Sequence, residues 1–205
     1  MSGMKIKPTL RPRPAHFYRR GLILVGCVVF FLLAAFLPAV GAQVFAESEV
    51  KSVFLFNLTK FIVWPDEIDD GAKTQFSIAI LGTDPFGGRL EQVILSETVK
   101  GRRIGIRHYQ KQEEVQWQEI DLLFIGEEML GNLADIRLAA RRSGVLTVGD
   151  TSGFCHAGGM VNLLTAGNRV KIEINLAEAK KSDFAVSSQL LKLAGIVTAG
   201  TEGEQ

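Results

Sequence analysis

The stretch QFSIAILGTDPFGGRLEQVIL, Gln75 to Leu95, decides the fold class because it joins three kinds of local structure. Gln75 to Gly82 is a short apolar run of the kind that forms a strand. Pro85 and two adjacent glycines then predict a turn, and a helix is expected to open near Phe86 or Gly87. A strand, a turn and a helix in this order begin a layered α/β unit.

The same alternation continues along the chain. Further strands are predicted from about Arg102 to Tyr109, from Asp121 to Gly126 and from Val145 to Asp150, and an amphipathic helix is predicted between the last two. Strands that are apolar throughout are buried on both faces, as in parallel sheets covered by helices. The sequence therefore predicts an α/β fold: a single-domain flavodoxin- or Rossmann-like sandwich with a mostly parallel sheet.

The C-terminal part has a different pattern. Two strand-like runs flank Ala166-Gly167-Asn168, which predicts an antiparallel hairpin. In the second run Lys171, Glu173 and Asn175 alternate with apolar residues, so these three are expected on a solvent-facing side. A closing helix is then predicted, capped by Ser187 or Ser188. Its expected apolar stripe consists of Leu190, Leu193, Ala194 and Val197.

The segment from Glu47 to Pro65 is predicted to be a helix that is buried on most sides. Its apolar residues at helical spacing are Val50, Val53, Phe54, Leu58 and Phe61. Ser52 and Thr59 fall on the opposite face of this helix, where we expect contact with solvent.

The first 46 residues read as an export leader. They contain six basic residues, no acidic residue and an uncharged apolar run from Gly21 to Val40, followed by small residues. We expect cleavage after Ala42 or Ala46, although the run is long enough to remain as an inner-membrane anchor. Either outcome places a domain of residues 47–198, with a loose tail at 199–205, beyond the membrane.

The composition of the exported part excludes several functions. Without the basic leader, the chain has more acidic than basic residues, which argues against nucleic acid as a partner. Cys155 is the only cysteine after residue 46, so no internal disulfide can form, and three histidines in the chain argue against a multi-histidine metal site. We predict no catalytic residue, no metal and no cofactor.

The turn from Leu81 to Glu91 admits two interpretations. A glycine-rich turn between a strand and a helix can cradle an anion on its backbone N–H groups, but the spacings of known phosphate-binding loops are absent. The alternative is ordinary turn and capping chemistry, with Asp84 hydrogen-bonding within the turn. Glu127 and Glu128 are interpreted as solvated charges at a helix end.

Several segments together resemble one family. They are KSVFLFNLTKFIVWP, FSIAILGTDPFGG, DLLFIG, VLTVGDTSGF, GGMVNLL and VKIEINLAEAKKSDFAVSSQLLKLA, and they occur in this order between about Glu49 and Val197. This combination is similar to the YfiR/HmsC-like family of periplasmic regulators. The resemblance implies a protein that represses a membrane-anchored diguanylate cyclase, by binding its periplasmic domain, and so controls cyclic-di-GMP, exopolysaccharide and biofilm formation. A similar membrane sensor remains open as the partner. It also implies a homodimer.

A repressor of this kind needs a complementary surface rather than a nucleophile. From their turn and solvent-facing positions, the residues expected to contact a partner or a ligand are Asp84, Phe86, Gly87, Gly88, Glu173 and Asn175. Two other functions remain open. One is a periplasmic sensor that binds a small-molecule effector at these turns, and the other is a hydrolase that uses Cys155 and His156.

Overall fold

In the computed structural model, residues 40–65, 73–167 and 169–198 are described, and side chains are described from Glu47 onward. Most of the predicted leader and the predicted tail at 199–205 lie outside these residues. None of the described helices is both long enough and apolar enough to cross a bilayer.

The secondary structure follows the predicted alternation. The helices are α1 (Val40–Phe61), α2 (Arg89–Ile94), α3 (Leu133–Arg142), α4 (Leu176–Lys181) and α5 (Ser188–Leu191). The strands are β1 (Ile62–Val63), β2 (Gln75–Leu81), β3 (Thr98–Val99), β4 (Arg102–Tyr109), β5 (Leu122–Ile125), β6 (Leu146–Gly149), β7 (Val161–Ala166), β8 (Arg169–Asn175), β9 (Ala185–Val186) and β10 (Gly195–Val197). Short 3-10 helices occupy Gln112–Glu114, Trp117–Glu119 and Glu127–Asn132.

Eight of the described strands form one sheet in the order β10-β8-β7-β6-β5-β2-β4-β3, and β1 pairs with β9 separately. Five neighbouring strands run parallel to one another: β7, β6, β5, β2 and β4. Strand β8 is antiparallel to β7, and β3 is antiparallel to β4. The parallel core thus has the flavodoxin-like order, with a switch in winding direction between β2 and β5. The predicted fold class, including the C-terminal hairpin, is confirmed.

The sheet separates two hydrophobic cores. In β2, Ile78 and Ile80 belong to one core, while Ala79 and Leu81 belong to the other. Helix α1 packs on the first core and α3 on the second. Because the central strands β2, β5 and β6 are buried on both faces, most of their residues are apolar, and the polar Ser77 and Thr147 are buried among them.

The predicted orientation of α1 is only partly correct: Leu58 is buried as expected, but other positions are not as predicted. Val50 and Val53 are 40% and 41% exposed, whereas Ser52 and Thr59 are buried. Both hydroxyls donate to carbonyl oxygens of the preceding turn, Ser52 to Ser48 at 2.7 Å and Thr59 to Phe56 at 2.6 Å, so their burial leaves no donor unsatisfied. The apolar residues of this helix surround it so widely that their spacing does not fix which side faces the sheet.

A buried ion pair accompanies that orientation. Lys51 lies 2.8 Å from both Glu47 and Asp150, and Asp150 directly follows β6. Burial alone would lower the pKa of Lys51, but its hydrogen bonds with Asp150 and Glu47 outweigh this and raise the pKa. The Lys51–Asp150 ion pair ties the middle of α1 to the end of a central strand.

The closing helix is shorter than predicted. It is capped by Ser187, whose hydroxyl accepts from the Leu190 N–H, but it ends at Leu191. Gly195–Val197 instead form β10, which pairs in parallel with the edge of β8. Leu193, expected on the apolar stripe, is 76% exposed. The open edge of β8 and the β-branched residues of β10 favour a strand over a further helical turn.

Candidate functional site

The predicted turn follows β2 directly, at the point where the sheet changes winding direction. Asp84 accepts a hydrogen bond from the Phe86 N–H at 2.7 Å, which closes a small turn. Phe86 is fully buried and meets the Phe124 ring edge-on at 5.0 Å between centroids. Gly87 and Gly88 are exposed, and their φ angles of 55° and 79° require glycine-like freedom. The turn thus presents Asp84, Gly87 and Gly88 to solvent while Phe86 anchors it from below.

The chain's own carboxylate occupies the start of this turn. Glu128 accepts hydrogen bonds from the Thr83 N–H at 2.5 Å and from the Thr83 hydroxyl at 2.8 Å. A hydrogen bond from its own backbone N–H, together with those from Thr83, lowers the pKa of Glu128. Glu128 is exposed at the start of a 3-10 helix, as predicted, but its contact with Thr83 was not foreseen. Two N–H groups that could cradle an anion, those of Thr83 and Phe86, already donate to carboxylates of the protein.

Glu173 and Asn175 lie on β8, away from the turn. Strands β5, β6 and β7 separate β8 from β2, and four strand spacings amount to about 19 Å. The six predicted contact residues therefore form two separate groups rather than one pocket.

The predicted solvent-facing position of Asn175 was wrong. Its side chain is fully buried, donates to the Cys155 carbonyl oxygen at 2.9 Å and accepts from the Glu178 N–H at 3.0 Å, which caps α4. Glu173 is half-buried and accepts from the Asn162 side-chain amide at 3.1 Å. Alternation along β8 ends where α4 begins, because the cap must lie against the helix it starts.

Cys155 and His156 point apart. Cys155 is fully buried, with its thiol 3.6 Å from the Glu173 carbonyl oxygen, whereas His156 is exposed. Burial is the main reason that the pKa of Cys155 is raised to about 12. A hydrogen bond with the Asn175 backbone lowers this pKa, and repulsion from the Glu173 carboxylate raises it. A thiol in this state is a poor nucleophile. The described residues also contain no group of three side chains able to hold a metal ion.

We expect Cys155 to resist alkylation by iodoacetamide at pH 8 in the folded protein and to react once the protein is unfolded in urea, as measured by mass spectrometry. Because its folded pKa is raised from 9.0 to about 12, its protonation stabilises the fold below pH 9, and this contribution is lost as the pH rises toward 12. A Cys155→Ala variant should lack that alkaline decrease in stability. Rapid alkylation of the folded protein would contradict the buried position.

Comparison with known proteins identifies one matching family. A family described as YfiR/HmsC-like matches residues 48–195, and this confirms the resemblance inferred from the ordered segments. The family is regulatory rather than catalytic, and it is periplasmic. Among curated proteins, no sequence matches the chain.

Proposed function

Because the chain belongs to the YfiR/HmsC-like family, we propose that it is an exported regulator that binds the outer domain of a membrane-anchored diguanylate cyclase and represses it. The match across residues 48–195 carries this proposal. Under it, residues 1–46 serve for export, the mature protein works as a homodimer, and loss of repression raises cyclic-di-GMP and promotes exopolysaccharide and biofilm formation.

Repression requires only that the protein bind the inactive state of the cyclase more tightly than the active state. A rigid surface can achieve this without chemistry of its own. We propose that the turn after β2 provides part of that surface, with Asp84, Gly87 and Gly88 in contact with the cyclase and Phe86 holding their positions. Glu173, whose carboxylate accepts a hydrogen bond from Asn162, is proposed as a second contact, whereas the buried Asn175 is not.

The competing function, a sensor for a small-molecule effector, has weaker support at this turn. The N–H groups of Thr83 and Phe86 donate to Glu128 and Asp84, and an anionic effector would have to displace those carboxylates. A rise in melting temperature on adding a metabolite would favour this alternative, since a ligand selective for the folded state stabilises it.

Deleting the gene should raise the cellular concentration of cyclic-di-GMP. The wild-type gene supplied in trans should return the concentration to its original low value. A Gly87→Asn variant should lower the cyclic-di-GMP concentration only partly, because the new side chain would project from the proposed contact surface and hinder binding of the cyclase. Asparagine tolerates the left-handed conformation of residue 87, and no described neighbour lies within 4 Å of a Cβ built there. Nucleotide extraction and mass spectrometry measure the result.

Gly101→Asn is the matched control. Gly101 also has a positive φ, and a Cβ built on it would meet no described atom. It precedes β4, so it lies at the amino ends of the parallel strands, whereas the turn lies at their carboxyl ends. This variant should repress like the wild type. Unchanged cyclic-di-GMP after deletion would refute the repressor role, whereas equal behaviour of the two variants would refute only the contact assigned to the turn.

A further inference from the structure

Three cations surround a single buried carboxylate between α3 and α4. Glu178, whose side chain is 2% exposed, lies 2.5 Å from Arg141, 3.7 Å from Arg137 and 3.8 Å from Lys181. We call Arg137, Arg141 and Lys181 the basic cluster. Since Glu178 supplies one negative charge, the cluster keeps a formal excess of two positive charges, although the chain beyond the leader is acidic overall.

The protein holds this cluster in a fixed arrangement. The backbone N–H of Glu178 donates to the buried side chain of Asn175, which fixes the start of α4 and with it the carboxylate. The guanidinium of Arg137 packs so closely on Gly158 that a Cβ built on that glycine would lie 2.7 Å from Nη1. Side chains ordered in advance lose less entropy when they bind a further group.

The cluster also has donors to spare. In the part of the chain that the structure describes, Nε of Arg137 and Nε of Arg141 are buried without a hydrogen-bond acceptor. The two arginine side chains are each about one-third exposed, and Lys181 is 61% exposed. A guanidinium group has five N–H donors. A single carboxylate cannot accept hydrogen bonds from all the donors of two guanidinium groups and an ammonium group. The excess positive charge and the exposed part of each of the three side chains call for a second anionic group.

We propose that the basic cluster binds a carboxylate-bearing, acidic segment of a partner protein. Arginine guanidinium groups match carboxylates in geometry and charge, and the cluster already holds one carboxylate through the hydrogen bond that Arg141 donates to Glu178. Segments that bind anionic membranes by charge alone use about four to eight basic residues, and an excess of two charges is small by comparison. The chemistry therefore favours a peptide over a lipid surface.

A hexaglutamate peptide is the probe. Titrated into the ¹⁵N-labelled protein at low salt, it should shift the Nε–H resonances of Arg137 and Arg141 in a saturable way, and added salt should weaken the binding. Lys181→Glu should weaken it by about five-fold, since this change converts a cation of the cluster into an anion. Far-UV circular dichroism checks that the variant is folded.

Lys180→Glu is the matched control, because it changes the net charge equally at the neighbouring exposed residue of the same short helix. It should weaken binding by less than about two-fold. Unshifted Nε–H resonances, or equal losses in the two variants, would overturn the proposal. Binding to phosphatidylglycerol vesicles without binding to the peptide would overturn it in favour of a membrane surface.

This inference rests on the proposed function only in assuming that the protein has a macromolecular partner. The titration contains no cyclase, so its failure leaves the deletion experiment untouched. Conversely, unchanged cyclic-di-GMP after deletion would leave the peptide result standing.

Discussion

Replacement of Asp121 by alanine is expected to lower the free energy of unfolding by about 3 to 5 kcal/mol, the range for removing one partner of a buried ion pair. Asp121 is fully buried just before β5. Its carboxylate accepts a hydrogen bond from the Ser77 N–H at 2.8 Å and one from Lys73 at 3.2 Å, and it lies 3.8 Å from Arg102. Alanine would leave a backbone donor and two largely enclosed cations without their shared acceptor.

The loss should arise mainly from the unpaired cations. Only 14% of the Arg102 side chain is exposed, and its guanidinium lies over the Phe76 ring at 5.5 Å, so it cannot easily turn to water. Asp121→Asn separates the contributions, because an amide oxygen can still accept from Ser77 while the negative charge is gone. We expect the asparagine variant to lose less than the alanine variant.

Urea unfolding followed by tryptophan fluorescence measures both changes. Trp64 is a suitable reporter because its indole N–H donates to the Asp121 carbonyl oxygen at 3.2 Å. An alanine variant within about 1 kcal/mol of the wild type would show that the buried charges contribute no net stability, as can happen when ion pairs cost as much to desolvate as they return.

The second large effect is expected at Gly159. A Cβ built on this residue would lie 2.0 Å from Cε1 of Phe154, a fully buried ring that is also within 2.6 Å of a Cβ built on Gly149. The ring therefore fills a space that two glycines leave open. Gly159→Ala should lower the free energy of unfolding by about 2 to 3 kcal/mol, because a packed core resists added atoms.

Two further variants identify the cause. Gly131→Ala is the control, since no described atom lies within 4 Å of a Cβ there and residue 131 does not have a positive φ. Its stability should stay close to that of the wild type. Phe154→Ala alone should cost about 3 to 5 kcal/mol, but adding Gly159→Ala to it should cost little more, because the clash is gone.

Additive losses in this double variant would mean that Gly159 is needed for a reason other than the ring. In that case the packing explanation fails even if the single variant is unstable. Chemical denaturation of the wild type, the Gly159→Ala and Phe154→Ala variants and the double variant, under one set of conditions, decides between these results.

Among the candidate site residues, the sequence located the turn but not its contacts. The hydrogen bond of Asp84 is local, within two residues, so turn chemistry predicted it. Glu128 reaches Thr83 across 45 residues, and no short-range pattern signals such a contact. The basic cluster joins α3 to α4, and its carboxylate at Glu178 is 37 residues from Arg141, so it was missed for the same reason.

The fold class could be predicted without the structure, since apolar runs of strand length alternating with helices are typical of a sheet covered on both faces. The hairpin around Gly167 also followed from the sequence, as did a serine cap at residue 187 or 188, because both depend on neighbouring residues; the structure places the cap at Ser187. Three features could be known only from the three-dimensional packing: the orientation of α1, the edge strand formed by Gly195–Val197 and the burial of Asn175. Each of these features depends on contacts with residues that are distant in the sequence. Local helix and strand propensities are too weak to outweigh such contacts.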